Sequence, residues 1–454
     1  MIHVPFRPLR RAALALVTLL VVSVTATAPA GAIDITQVTS PGGIKAWLVE
    51  DHSNPVIALN VRFSLGSADD PAGKAGAARL LAATVDEGAG DLESTAFQAA
   101  LKDQSISLSF RAGMDATRAA LMTLTDTSED AFRLFRLALT EPRFDAEPVQ
   151  RMRQQLLAAA QRKDNDPSSQ ASRLWWRAAF PDHPYGRPRD GTVSGLSAVT
   201  VADLRTLHAG GLTRDGLTVS VVGDITPARL AAVLDELFGA LPAKRQLPAV
   251  ASTPPDTGGQ VYVMTENIPQ AQVVFGHAGI DTADPDWFGA AILMEIMSGG
   301  FGSRLMTEVR EKRGLAYGVS AGLAPLDRSA LVIGGTATRN DRVADSLAVI
   351  RAEWRRMAAQ GPNPAEIADA KAAIIGGYAL GLTDSPAIAR RLTGLQSIGL
   401  PISYFEERAA RINAVTADDL RRIAKRLFQV DKLTIAVVGE PVGVTATGTL
   451  PALN

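Results

Sequence analysis

The sequence predicts an α+β protein made of two homologous domains, each an antiparallel β-sheet covered by helices. Three observations predict it: a repeated helix–strand unit, a proline-rich break between the copies, and the same run of strands and long helices on either side. The copies are residues 196–224, "LSAVTVADLRTLHAGGLTRDGLTVSVVGD", and residues 412–440, "INAVTADDLRRIAKRLFQVDKLTIAVVGE". They align without a gap, and twelve of the 29 positions are identical. Each opens on a threonine with an acid three residues on, Thr200 with Asp203 and Thr416 with Asp419. That pair starts a helix, because each side chain satisfies a backbone N–H the helix leaves free. An apolar-periodic helix and a short buried strand follow in both. An ungapped match over a whole unit points to duplication rather than to the chance likeness of two helix–strand pairs.

Residues 1–32 read as a cleavable signal peptide. Arg7, Arg10 and Arg11 precede the apolar run "AALALVTLLVVSVTA", and Ala30-Gly31-Ala32 supplies a small-residue cleavage site. The run is short for a membrane span, and no later stretch approaches the length a spanning helix needs. The sequence contains no cysteine, so disulfides and lipid attachment at cysteine are excluded. A soluble periplasmic protein is expected. Loss of three arginines and no acid moves the formal net charge from −1 to −4, and no basic tract points to nucleic acid.

The N-terminal domain is expected over 33–240. It opens with two strand-like runs in "IKAWLVEDHSNPVIALNVRFSLGS" and continues with helices at 129–141, 145–163 and 168–180. Residues 241–259, "LPAKRQLPAVASTPPDTGG", carry four prolines and two glycines and read as a linker. Such a stretch is expected to hold few backbone hydrogen bonds and to be the main protease-sensitive site. The C-terminal domain, 260–445, repeats the pattern with "QVYVMTENIPQAQVVFGHAG" and helices at 286–298, 341–359, 363–382 and 384–397.

Common catalytic patterns are absent. After residue 32 there are four histidines, His52, His183, His208 and His277, none within five residues of another. No H-E-x-x-H or H-x-x-E-H spacing exists. His183 reads as a loop residue, His208 as helix surface, and His52 and His277 as structural residues of strands or turns. There is no thiol nucleophile and no G-x-S-x-G elbow. "SGGFGSRL", residues 298–305, lacks the lysine and spacing of a phosphate loop and reads as a plain turn before a helix. In "RLMTEVREKRGLAYGVSAGL", residues 304–323, a helix should end near Arg313, with Gly314 as its left-handed stop. Arg310 would project from the last turn and Tyr317 would open a strand. A guanidinium and a phenol beside a strand can hold peptide carbonyls; on composition alone the segment is equally an amphipathic helix with solvated basic residues.

At this point the sequence resembles the M16 family of zinc peptidases, the insulinase-like and mitochondrial-processing-peptidase-like proteins. The resemblance runs from "GGIKAWLVEDHSNPVIALNVRFSLGSADDPAGKAGAARLL" to the final "LTIAVVGEP". It implies the LuxS-like metallohydrolase architecture. Its most specific part is "GSRLMTEVREKRGLAYGV", which looks like the family's substrate-binding segment, with Arg310 and Tyr317 in the paired positions.

The family's other signature, H-x-x-E-H, should lie in "GAARLLAATVDEG". There Arg79 stands for the first histidine, Ala82 for the glutamate base and Ala83 for the second histidine. In "QRMRQQLLAAAQRKDNDP", Ala159 (or its neighbour Ala158) stands for the third ligand, a glutamate. Alanine offers no lone pair and a guanidinium cannot ligate a cation. Asp86 and Glu87, just after that helix, are expected to face solvent. The resemblance therefore implies a non-catalytic subunit with no cofactor of its own. It would bind peptide or unfolded-protein substrates through Arg310 and Tyr317, beside a second chain that carries H-x-x-E-H and the zinc. Tyr317 would stabilise the oxyanion there. The alternative is a catalytically inert peptide-binding or scaffold protein of the same fold. An enzyme using some other site finds no supporting cluster.

Overall fold

The computed structural model describes residues 34–452. The expected signal peptide lies outside the described residues. The first half runs β1 (Thr36–Thr39), β2 (Lys45–Glu50), β3 (Val56–Phe63), α1 (Ala77–Thr84), α2 (Ser94–Asp103), β4 (Ser107–Ala112) and β5 (Thr117–Leu124). It continues with α3 (Ser128–Thr140), α4 (Ala146–Asp164), α5 (Pro167–Ala179), α6 (Val193–Ala198), α7 (Val201–Gly211), β6 (Thr218–Gly223) and α8 (Pro227–Phe238). The second half runs β7 (Val261–Met264), β8 (Gln270–Ala278), α9 (Trp287–Ser298), β9 (Ala316–Leu326) and β10 (Ser329–Arg339). Then come α10 (Val343–Gln360), α11 (Pro364–Leu380), α12 (Ser385–Ser397), α13 (Tyr404–Ala414), α14 (Ala417–Leu427) and β11 (Thr434–Val438).

The repeat seen in the sequence is a repeat of topology. One sheet has the order β1-β2-β6-β3-β5-β4 and the other β7-β11-β8-β10-β9. The twin strands β6 and β11 take the same place: β6 pairs parallel with β2 and antiparallel with β3, and β11 pairs parallel with β7 and antiparallel with β8. The sheets are thus antiparallel except for one parallel pair in each, made because a long helical crossover returns the last strand beside β2 or β7. Both capping boxes form: the Thr200 hydroxyl accepts from Asp203 N–H at 3.2 Å, and the Thr416 hydroxyl from Asp419 N–H at 3.1 Å. Each strand ends on a left-handed glycine, Gly223 (φ 133°) and Gly439 (φ 145°). A Cβ on Gly223 would meet the Val56 carbonyl at 1.9 Å, so no side chain fits there.

Why "VSVVG" and "IAVV" are continuously buried follows from what covers them. Val219 and Val221 face the core of their own half, and Ile435 and Val437 do the same in the second. The alternate residues face a helix donated by the other half. Helix α5, from the first half, lies across β8 and β11; helix α12, from the second, lies across β3 and β6. Trp175 of α5 is fully buried and its indole N–H donates to the Thr434 carbonyl at 3.1 Å. The fit is close, since a Cβ on Gly276 would come within 2.7 Å of that ring. Reciprocally, the Thr393 hydroxyl donates to the Asn60 carbonyl at 3.1 Å, and the Gln396 amide donates to the Ser220 hydroxyl at 2.7 Å. A strand buried on both faces must be apolar at every position, or paired where it is not.

A buried polar cluster adds a second tie. Asp115 accepts from the Tyr185 hydroxyl at 2.6 Å and from Arg328, in the β9–β10 turn, at 2.6 Å. Burial first, and then the Asp115 carboxylate, push the Tyr185 phenol well above its ordinary value.

The linker departs from expectation. It forms no helix or strand, as its prolines require, but it is pinned along its length. Gln246 N–H donates to Gly210, Thr253 N–H to Arg328 and Asp256 N–H to Ala179, at 2.7–3.0 Å. Arg245 bonds Asp69, whose side chain is only 1% exposed, at 2.6 Å. Proline removes donors, but the N–H groups of Gln246, Thr253, Asp256 and Gly259 found partners far away in sequence.

Two expectations follow. Trp175→Ala should destabilise the protein by about 3–5 kcal/mol, and urea unfolding followed by circular dichroism should stay one transition, because neither sheet is covered without the other half. Two separate transitions would show that the halves fold independently. Arg245→Ala should leave Asp69 buried and unpaired, lowering stability by about 3 kcal/mol. Limited proteolysis should then cut within 241–259 faster in the variant than in the parent chain.

Candidate functional site

Arg310 and Tyr317 are brought together by three local features. Residues Met306–Glu311 form a π-helical turn, wider than an α-helix, a form that recurs at functional sites. Gly314 follows at φ 57°, and its N–H donates to the Arg310 carbonyl while Leu315 N–H donates to Val309, both at 2.9 Å. Strand β9 then begins, and its pairing with β10 slips between Thr338↔Ala316 and Thr336↔Val319. Tyr317 and Gly318 therefore bulge opposite one residue, which re-aims the tyrosine. Tyr317 is 85% exposed, yet the Arg310 guanidinium lies 4.6 Å from its ring centre. On another side, at 5.2 Å, is Phe301, 70% exposed.

Arg310 is thus held by two aromatic rings and, among the described residues, by no carboxylate. Stacking engages the face of the guanidinium and leaves its N–H groups, which point outward in the plane, free to donate. Phe301 was missed in the sequence because "SGGFGSRL" reads as a turn. A large aromatic among three glycines was the only available signal, since glycines leave a neighbouring ring uncovered. Strand β9 is also an edge of its sheet, so no strand pairs with its outer side, where the Ser298 hydroxyl accepts from Ala321 N–H at 2.8 Å.

The positions that the resemblance assigns to a metal lie on α1 and α4, which pack together. Ala82 is buried, whereas Arg79, Ala83 and Ala159 are half-buried. Arg79 donates to one oxygen of Asp190, and Lys163, one turn beyond Ala159, donates to the other. Burial alone would raise the Asp190 carboxyl, but Lys163, Arg79 and Arg189 outweigh it and hold it below its usual value. Two cations sharing one carboxylate repel a divalent ion, and the one side chain here with lone pairs, Asp190, has both oxygens engaged by Arg79 and Lys163. These residues do not fit the metal. Among the described residues, no group of three His, Cys, Asp or Glu side chains could hold one elsewhere.

The comparisons with known proteins agree with this geometry. The sequence profile of the Peptidase M16 inactive domain matches residues 198–374, which include both Arg310 and Tyr317. An uncharacterized zinc protease of Mycobacterium leprae is 27% identical over 401 residues, 87% of this chain and 89% of the relative. A non-peptidase homolog of Helicobacter pylori is 24% identical over 86% of this chain and 90% of its own length. The crystal structure of a peptidase M16 inactive domain from Pseudomonas fluorescens superposes with a TM-score of 0.84 at 26% identity, covering 92% of this chain and all of that one. Over most of its length the chain is similar to M16-type zinc proteases, and its residues 198–374 match the M16 inactive domain.

The remaining candidates have structural partners. His277 accepts from the Trp354 indole at 2.9 Å and donates to the Ala278 carbonyl; burial holds its pKa below the usual value. His183 closes its loop by donating to the Ala251 carbonyl at 2.9 Å. His208 is not plain helix surface: half-buried, it donates to the Leu139 carbonyl at 2.9 Å and joins α7 to α3. Asp86 and Glu87 do not simply face solvent either. Burial pushes the Asp86 carboxyl up to about 7, and Glu87 bonds Ser94 and Arg151. His52 has partners the sequence did not reveal, Asp224 at 2.5 Å and Glu50 at 2.9 Å. They bond opposite ring nitrogens, so they cannot converge with the imidazole on one cation.

Two measurements test these assignments. The purified chain should carry no stoichiometric zinc by metal analysis after mild chelation; about one zinc per chain would reverse the reading of Arg79, Ala82, Ala83 and Ala159. In an NMR titration, His52 should have its midpoint above 6.5, raised first by Asp224 and then by Glu50. A raised folded-state pKa adds stability that is complete below the unfolded pKa and is lost as pH rises through the folded one. Asp224→Asn should return the midpoint toward 6.5.

Proposed function

We propose that this chain is the substrate-binding, non-catalytic subunit of a heterodimeric periplasmic M16-type zinc peptidase. One observation carries the proposal: a half-buried Arg310 stacked on an exposed Tyr317 at a sheet edge coexists with Arg79, Asp190 and Lys163 at the position the resemblance assigns to a metal. The first could hold a peptide and assist chemistry at a partner's metal; the second could not supply that metal. An H-x-x-E-H chain would supply the zinc that activates water. This chain would supply an edge strand, β9, to which an extended peptide can add. Arg310 would hold a peptide carbonyl, and the Tyr317 hydroxyl would donate to the oxygen on which negative charge develops.

The proposed location rests on the signal-like residues 1–32; among the described residues no helix is long and apolar enough to cross a membrane. The second reading, a catalytically inert peptide-binding or scaffold protein, is favoured by the likeness to the Helicobacter pylori non-peptidase homolog. It leaves the exposed aromatic–arginine cluster without a task.

Reconstitution with an H-x-x-E-H partner is the test. The mixture should be a one-to-one complex by light scattering and should hydrolyse peptides that neither chain cuts alone. Tyr317→Phe keeps the ring that stacks on Arg310, so assembly should hold while kcat falls on the order of 10²–10³-fold. Arg310→Ala should weaken substrate affinity as well, because it removes a contact made before the transition state. Parental turnover by an assembled Tyr317→Phe complex would favour the scaffold reading.

A further inference from the structure

Next to the erased metal position the first half gathers positive charge. Two neighbouring clefts, of about 160 and 270 Å³, share Arg173, Gly186 and Arg187 in their walls. Lys163 and Arg189 complete the first and Arg177 the second, so five cations line the pair against one lining carboxylate, Asp190. The whole chain has a formal net charge of −1, so this is a local concentration and not a general excess. Arg173 and Arg177 stand four residues apart on α5, a spacing at which like charges repel.

The charges are only partly neutralised from within. Arg79 and Lys163 divide Asp190 between them. Arg173 spends one terminal nitrogen on Asp164, behind the cleft, while its other, Nη2, is buried without a partner. Arg187 donates to the Asp70 carbonyl at 2.7 Å, and Arg177 to the carbonyls of Ala452 and Pro181. Neither pairs with a carboxylate, and Arg189 is exposed with no hydrogen bond among the described residues. A buried N–H left unmade carries a penalty that an incoming acceptor removes. A guanidinium accepts a carboxylate in a bidentate fork.

We propose that these two clefts are a subsite for the carboxylate side chains of an acidic polypeptide segment. The cations are spread over both clefts rather than converging on one point. Two carboxylates on one extended chain can therefore satisfy them together, whereas a single phosphate would engage one cleft. The Trp176 side chain, which also lines the first cleft, gives the aliphatic part of such a segment an apolar wall. This inference rests on the reading of the chain as peptide-binding, and it names the class of peptide: acidic.

The test uses the full mature chain and two fluorescent, unstructured peptides, one carrying alternating glutamates and the other glutamines at the same positions. By anisotropy, the glutamate peptide should bind at least about tenfold more tightly, the equivalent of one good ionic contact. Its affinity should fall with added salt. Arg189→Gln removes an exposed side chain with no structural bond, and Arg177→Gln alters the second cleft. Each should weaken the glutamate peptide several-fold and leave the glutamine peptide unchanged. Arg339→Gln, a surface arginine paired with Asp341 elsewhere, should change neither. Inorganic phosphate at matched ionic strength should compete weakly; strong competition with no preference between peptides would make this a phosphate site and overturn the proposal. Equal binding of both peptides, unaffected by either variant, would overturn the subsite and leave the peptide-binding reading standing. Binding of neither peptide would overturn both.

Discussion

Each sheet of this protein has two apolar faces, and its own half supplies helices for only one. The exchange of α5 and α12 resolves that shortage, and most of the remaining architecture depends on it. Trp175 reaches Thr434 across 259 residues of sequence, and Thr393 reaches Asn60 across 333. With both helices exchanged, the halves cannot separate without uncovering two sheets at once. The exchange also fixes where the connections must run. The linker is drawn along the seam, where Arg245 meets Asp69 and Thr253 meets Arg328. The β9–β10 turn is drawn onto Asp115 and Tyr185. Those ties are polar, buried and mutually satisfied, which favours a single relative placement of the two halves over a loose apolar contact.

The same helix links architecture to chemistry. One side of α5 carries Trp175 into the second sheet; another carries Arg173 and Arg177 to the clefts beside α4. The loop after α5 brings Asp190 back to Arg79 and Lys163. At the positions the resemblance assigns to a metal, small alanines let α1 and α4 pack together, and an ion triad occupies the polar rim. The replacement is electrostatically opposite to a metal site, in which carboxylates gather around a cation. Here cations gather around a carboxylate. Substitution in the other direction would need several simultaneous changes, because a single histidine or glutamate would still face Arg79 and Lys163.

The second half keeps its exposed cluster by a different device. A guanidinium on a flexible stem is normally disordered or paired with an acid. Stacking between Phe301 and Tyr317 restrains Arg310 without spending its hydrogen bonds. The π-helical turn, the left-handed glycine and the bulge at Tyr317 each add a local irregularity, and together they bring the Arg310 guanidinium within 4.6 Å of the Tyr317 ring centre.

Much of this was written locally. The capping boxes, the helices (each within two residues of its expected ends) and the equivalence of β6 and β11 follow from periodicity and backbone chemistry over a few residues. That Arg79, Ala82, Ala83 and Ala159 cannot ligate a metal follows from residue type alone. So does the helix–glycine–strand arrangement that separates Arg310 from Tyr317 by seven positions. What tertiary structure alone decided is who meets whom. That α5 covers the second sheet, that Asp190 joins Arg79 to Lys163, that His52 bonds Asp224 and that a proline-rich linker is pinned are all contacts between distant segments. A repeating apolar pattern states that a face will be buried but not what buries it, and a charge states that it needs a counter-charge but not which one. Those choices are made by the packing of the whole chain.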